Sequence, residues 1–198
     1  MRVITGTARG RKLLEPAGMD IRPTADQVKE AVYNILQGDV EGRAVLDLFA
    51  GTGQLGIEAL SRGAESCTFV DESREAVRLV KANLEKCGFR GTVVQGDALR
   101  FLEGPETYGL IFIDPPYRSG LYGDILREIK HFDKLQTGGI MVVETPAELE
   151  PDSPGLPYRK LRSYRYGKVR ITTFTRNEDE ARSLRSTPAA LTPSPWGT

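Results

Sequence analysis

Two short runs of this chain carry residue types that could do chemistry together. The first is a Gly-rich turn, Asp47-Leu48-Phe49-Ala50-Gly51-Thr52-Gly53. The second is Asp114-Pro115-Pro116-Tyr117, which ends the apolar run Leu110-Ile111-Phe112-Ile113. Glycines let a backbone approach a ligand closely and adopt positive φ. Asp114 offers a carboxylate acceptor, the Pro115 carbonyl a second acceptor on stiff backbone, and Tyr117 a stacking face. Together these can hold both hydrogens of an exocyclic amine on an aromatic base and fix the plane of its ring. Such an amine is a poor nucleophile because its lone pair is delocalised, so acceptors that bias it towards tetrahedral geometry promote its alkylation. Either run alone is weak, since a Gly-rich turn can serve packing and Pro-Pro-Tyr can merely end a strand. In this order, each at a strand end, they point to an enzyme that binds a nucleoside cofactor and acts on an exocyclic amino group.

The cofactor side has two readings. Gly51-Thr52-Gly53-Gln54-Leu55-Gly56 also matches the dinucleotide pattern, so a nicotinamide-dependent oxidoreductase is a rival. Asp71, closing the next strand, could accept both hydroxyls of a ribose under either reading. S-adenosylmethionine is favoured by Asp47 at the end of the first strand and by Gly96-Asp97-Ala98 after the third, where Asp97 can accept from an adenine amino group. The Asp114–Tyr117 run has no task in hydride transfer. The expected cofactor residues are therefore Asp47, Phe49, Gly51, Gly53, Asp71, Asp97 and Ala98, with no metal.

Alternating strands and helices must position these runs. The pattern predicts strands at Ala44–Phe49, Ser66–Val70, Thr92–Gln95, Leu110–Ile113 and Ile140–Glu144. Between them it predicts helices at Leu55–Arg62, Arg74–Cys87, Ala98–Leu102 and Leu121–Phe132. Near-continuous apolar strands alternating with amphipathic helices imply a parallel sheet covered on both faces. In such sheets ligands bind beyond the C-terminal strand ends, at the switch point beside the first strand. Pro23 precedes a helix to about Gln37, with Thr24 and Gln27 forming a capping box. Two β-like runs, Tyr158–Tyr166 and Lys168–Thr175, predict an antiparallel hairpin on the sheet edge. The expected organisation is an arm over residues 1–22, one catalytic domain over 23–176, and a disordered tail over 177–198, rich in Ser, Thr, Pro and charge.

A chain of 198 residues with 39% hydrophobic and 27% charged content suits one soluble α/β domain. No apolar stretch nears a membrane span, and the polar N-terminus lacks a signal-peptide core, so a cytoplasmic protein is expected. Cys67 and Cys87 lack metal or redox spacing and read as inert buried thiols. Net charge is zero, yet residues 1–14 carry Arg2, Arg9, Arg11 and Lys12 without an acid. Residues 157–176 carry seven bases, again without an acid. Such ends can present a basic face to phosphate. His131 reads as a surface or capping residue, and Asn83 as a residue that holds a loop.

The chain resembles the RsmD-type bacterial methyltransferases, which act on guanine N2 of 16S ribosomal RNA. The likeness runs through Gly6, Arg9-Gly10-Arg11-Lys12-Leu13, Arg22-Pro23-Thr24, Asp47–Gly53, Gly63-Ala64, Asp71, Asn83, Gly96-Asp97-Ala98 and Asp114–Tyr117. It implies a Rossmann-like, seven-stranded class I methyltransferase fold, S-adenosylmethionine as donor, and 16S rRNA within the small ribosomal subunit or its assembly intermediate as partner. Asp114, Pro115, Pro116 and Tyr117 are then the catalytic set of a monomeric enzyme. Arg9, Arg11 and Lys12 in a mobile arm, with Arg22, would grip phosphates around a flipped base. Gln27 stands where the family often has Arg, and Gly109 where it often has Asp. An adenine-N6 or glutamine-N5 methyltransferase shares such a site, and a non-catalytic RNA-binding assembly factor is a further alternative. A glutamine enzyme would more naturally carry Asn at position 114.

Overall fold

The computed structural model describes residues 1–16, 23–116 and 120–177, with residues 23–26 as backbone only. Arg22, Tyr117 and the tail beyond Asn177 lie outside the described residues. The elements in chain order are α1 (Pro23–Ile35), β1 (Ala44–Asp47), α2 (Gln54–Ser61), β2 (Ser66–Asp71), α3 (Arg74–Cys87) and β3 (Thr92–Gln95). They continue with α4 (Ala98–Leu102), β4 (Tyr108–Ile113), α5 (Tyr122–His131), β5 (Leu135–Pro146), β6 (Tyr158–Tyr166) and β7 (Val169–Arg176).

One seven-stranded sheet has the order β3-β2-β1-β4-β5-β7-β6. The five strands from β3 to β5 run parallel, and β7 and β6 pair antiparallel at one side. The order reverses between β1 and β4, which opens a crevice above their C-terminal ends. Every residue of β4 is buried, as a central strand covered on both faces requires. Val45, Phe69, Val80 and Leu110 belong to one packed layer, and Leu46, Val70, Ile111 and Ile125 to the other. Successive strand residues thus serve opposite faces of the sheet.

The expected β4 and β5 were too short at their N-terminal ends. Tyr108 already pairs with Leu135, and the register shifts before Leu110. Gly109 of β4 and Gly138-Gly139 of β5 fall at that irregularity, where the β4–β5 register skips them. The hairpin adds to the edge as expected, with its second strand inward: β7 pairs β5, and β6 forms the outer edge. Helix α1 opens at Pro23 rather than after a Thr24 cap, consistent with a pyrrolidine ring pre-set for the first helical position.

The N-terminal segment expected to be a mobile arm is tied down. Val3 N donates to Arg11 O, Gly10 N to Val3 O, and Leu13 N to Met1 O, closing a small hairpin. Val3, Ala8 and Leu13 are buried. The segment docks on α2: Ile4 N and Thr5 N donate to the buried Glu58 carboxylate at 2.7 and 3.0 Å, and Ala8 N to Ser61 Oγ at 3.0 Å. Its apolar side chains and orphan amides both find partners there, which the count of arginines concealed.

Gly6 makes this docking possible. Its φ is +85°, and a Cβ there would lie 1.7 Å from the Ser61 carbonyl oxygen. Gly6→Ala should therefore destabilise the fold by roughly 2–4 kcal/mol. Gly10→Ala, at φ +83° in open space, should lose only about 1–2 kcal/mol. Equal losses in denaturant titrations would show that the close approach to Ser61 carries no energy.

Candidate active site

A cavity of about 460 Å³ opens beyond the C-terminal ends of β1 to β4. Leu48, Phe49 and Gly51 reach it from the turn after β1, and Asp71 and Glu72 from the end of β2. Gly96, Asp97, Ala98 and Leu99 come from the turn after β3, Asp114, Pro115 and Pro116 from the end of β4, and Leu121 from the start of α5. Eight of the residues singled out by sequence thus share one wall, although they come from four strand ends. Asp47 and Gly53 are not on that wall, and Tyr117 falls outside the described residues.

Gly53 and Asp47 build the turn from behind. Gly53 caps α2 at φ +77° and has no side chain to bond the helix's first amides. Asp47, 2% exposed, supplies that bond from the strand: its Oδ2 accepts from Gly56 N at 3.0 Å. Burial pushes the Asp47 carboxyl up to about 7; the Gly56 bond opposes this, and the Asp71 charge adds to it. Gly56 itself packs against the sheet, since a Cβ there would lie 2.3 Å from the Phe69 ring.

Asp71 shapes the turn as well as lining the cavity. Its Oδ2 accepts from Gly51 N and its Oδ1 from Ser73 N, both at 2.9 Å. Asp97 caps α4 by accepting from Arg100 N at 2.9 Å. Each carboxylate keeps lone pairs for a ligand. Asp114 is held well above the usual carboxylate range, first by burial and then by the charges of Glu144 and Asp47. Glu144, on β5, therefore belongs to the electrostatic surroundings of the site.

Among the described residues the cavity wall carries four acids, Asp71, Glu72, Asp97 and Asp114, and no base. Pyrophosphate recognition by a Gly-rich turn relies on open N–H groups at a helix N-terminus. Here Gly56 N is already bonded to a buried carboxylate, and a dianion would meet uncompensated negative charge. The lining fits a ligand that carries positive charge, an adenine ring between Phe49, Leu99 and other apolar groups, and a hydroxylated sugar. This argues against the nicotinamide reading.

Sequence reasoning missed Glu72, Leu48, Leu99 and Leu121. Leu48, Glu72 and Leu99 are adjacent in sequence to residues already singled out, so adjacency was the available signal for them; Leu121, at the start of α5, had none. Asn83 does hold a loop: its Oδ1 accepts from Leu14 N at 2.6 Å, and its Nδ2 donates to Leu14 O at 3.1 Å and Thr52 O at 2.9 Å. One buried amide so joins the N-terminal hairpin to the Gly-rich turn. Cys67 and Cys87 are buried thiols, and His131 is exposed in the last turn of α5.

The expected phosphate contacts are scattered. Arg9, Arg11 and Lys12 are exposed on the N-terminal hairpin, and Arg11 Nη1 donates to Lys86 O at the end of α3. On the C-terminal hairpin Lys160 and Arg170 pair with Glu150, Arg165 with Glu148, and Arg176 with Asp133. Much of that basic charge is compensated within the molecule.

The family described as conserved hypothetical protein 95 matches residues 1–175. The chain belongs to this family, that of the RsmD-type methyltransferases. Ribosomal RNA small subunit methyltransferase D of Escherichia coli is 36% identical over 160 residues, 79% of each chain. YlbH of Bacillus subtilis is 42% identical over 162 residues, 78% of this chain and 88% of YlbH. The solved structure of Escherichia coli YhhF is 32% identical with a TM-score of 0.81, covering 89% of this chain and 98% of that one. Family membership and the cavity agree on a class I methyltransferase fold. Among the described residues no helix is long and apolar enough to cross a membrane, and no cluster of His, Cys, Asp and Glu could hold a metal ion.

Proposed function

We propose that this RsmD-family protein transfers a methyl group from S-adenosylmethionine to the exocyclic N2 of a guanine in 16S ribosomal RNA of the small subunit. The observation that carries this reading is Asp114-Pro115-Pro116 on the same cavity wall as Asp71 and Asp97. Asp71 and Glu72 would hold the cofactor's ribose hydroxyls, Asp97 its adenine amino group, and Phe49 and Leu99 its ring. Asp47 and the acids around it favour its positive charge. The cofactor supplies an electrophilic methyl group on a sulfonium.

The chain's own residues then act on the acceptor base. Asp114 and the Pro115 carbonyl take the two amino hydrogens and turn the nitrogen lone pair towards the methyl group, and Tyr117 fixes the ring by stacking. A carbon–nitrogen bond forms as the carbon–sulfur bond breaks, and the surplus amine proton leaves late, to water. Positioning and electrostatics supply most of the acceleration. A paired base must be flipped out to reach this pocket. Exposed Arg9, Arg11 and Lys12, with Arg22, would orient the RNA through phosphates without reading bases. We further propose that residues 23–176 form the catalytic domain of a cytoplasmic monomer, with the N-terminal hairpin as its RNA-facing extension.

Incubation with tritiated S-adenosylmethionine and small subunits lacking their native methyl groups tests the reading. Label recovered as N2-methylguanosine is the expected result. Label in N6-methyladenosine, or none in RNA despite cofactor binding, would overturn it. Arg9→Ala with Arg11→Ala should weaken RNA binding and lower its salt slope by about 1–2. An unchanged slope would remove the N-terminal hairpin from the interface.

A further inference from the structure

Helix α3 carries charge that the fold does not use. Its inward face is apolar, with Ala76, Val77, Val80 and Leu84 buried, and its outward stripe carries Arg74, Arg78 and Lys81. These three are exposed, and among the described residues none has an ion pair or side-chain hydrogen bond. The contrast with the C-terminal hairpin, where four bases have acid partners, is clear.

The placement of Arg74 is unfavourable within the free protein. Arg74 occupies the first position of α3, where the helix dipole favours an anion. Arg74 with Arg78 and Arg78 with Lys81 are like-charge neighbours at i,i+4 and i,i+3, which destabilises a helix, while Glu75 at i,i+3 to Arg78 and Glu85 at i,i+4 to Lys81 offset part of this. Glu75 and Glu85 also lie on the helix; Glu75 projects to one side of the stripe, and Glu85 ends it. Neither reaches ion-pair distance of the three bases. At the other end of α3, Lys86 is exposed and Arg11 of the N-terminal hairpin bonds its carbonyl. The hairpin thus meets the C-terminal end of α3, and the stripe runs from Lys81, on the far side of Glu85, to Arg74, three residues from Asp71 on the cavity wall.

We propose that Arg74, Arg78 and Lys81 form a phosphate track that leads the RNA backbone from the N-terminal hairpin to the mouth of the cavity. The proposal rests on the RNA-methyltransferase reading for its partner, and on α3 alone for its location. From Arg74 to Lys81 is about 10 Å of helix axis. The track supplies affinity and direction, and base identity stays with the pocket.

The test is RNA binding across a salt series, measured independently of methylation, with Arg74→Gln, Arg78→Gln and Lys81→Gln combined. The substituted side chains are exposed, so unfolding temperature and S-adenosylhomocysteine affinity report an intact fold. The slope of log K against log salt is expected to fall by about 2–3. The variant with Arg74→Lys and Arg78→Lys, which keeps the charges, should retain the wild-type slope. An unchanged slope in the triple variant, or an equal loss in the charge-retaining variant, would overturn the track. Wild-type protein that binds 16S rRNA with the expected slope yet methylates no guanine would sink the functional reading and leave the track standing.

Discussion

Asp114→Ala should abolish methyl transfer, with kcat falling by at least about 10²–10³-fold, while S-adenosylhomocysteine still binds. The carboxylate is one of the two acceptors proposed for the amino hydrogens, the Pro115 carbonyl being the other, and a lost preorganised hydrogen bond of this kind costs about 3–4 kcal/mol in the transition state. Folding should not suffer. Asp114 lies in a buried acidic surrounding, and Glu144 and Asp47 both oppose its ionisation, so removing it relieves repulsion. Asp114→Asn keeps one acceptor oxygen and should fall between wild type and alanine. Because burial and like charge hold the Asp114 carboxyl high, the wild-type rate should rise with pH as the acceptor form accumulates. Asp114→Asn should lose that rise. Single-turnover rates across pH check both points, and transfer within tenfold of wild type in the alanine variant would remove Asp114 from the chemistry.

Asp47→Asn should separate stability from cofactor affinity. Asp47 is buried with a carboxyl raised to about 7, so the folded protein holds a proton there that the unfolded chain has already released. Such a group stabilises the fold below its unfolded pKa and loses that contribution as pH rises through about 7. The asparagine oxygen can still accept from Gly56 N, and the variant has no proton to lose. Its stability relative to wild type should therefore improve by about 2–3 kcal/mol between pH 5 and pH 8. Over the same range wild-type affinity for S-adenosylmethionine should rise, because a cation favours the ionised carboxylate. The neutral thioether S-adenosylhomocysteine should show a smaller rise. Denaturant titrations and calorimetry at both pH values give the two readouts. Parallel stability profiles for wild type and variant would show that Asp47 does not titrate near neutrality.

The local signals were strong where a short run does its own work. Asp114-Pro115-Pro116 stiffens its own backbone, and Gly51 and Gly53 permit a turn that few other residues allow, so both runs declared a site before any fold was known. The alternation of apolar strands and amphipathic helices likewise determined a parallel sheet covered on two faces, and family likeness followed from the same motifs. The elements misread were β4 and β5 at their N-terminal ends, where the strands resume beyond an irregularity that holds Gly109 and Gly138-Gly139. Tertiary structure alone decided what each acid faces. Asp47 and Asp71 look alike at two strand ends, yet one is buried against a helix amide and the other borders the cavity. It also decided which bases are spent in ion pairs and which are not, and that Asn83 joins the N-terminal hairpin to the cofactor turn. Burial and partnership are set by segments far apart in the chain, and residue type and spacing carry no measure of that distance.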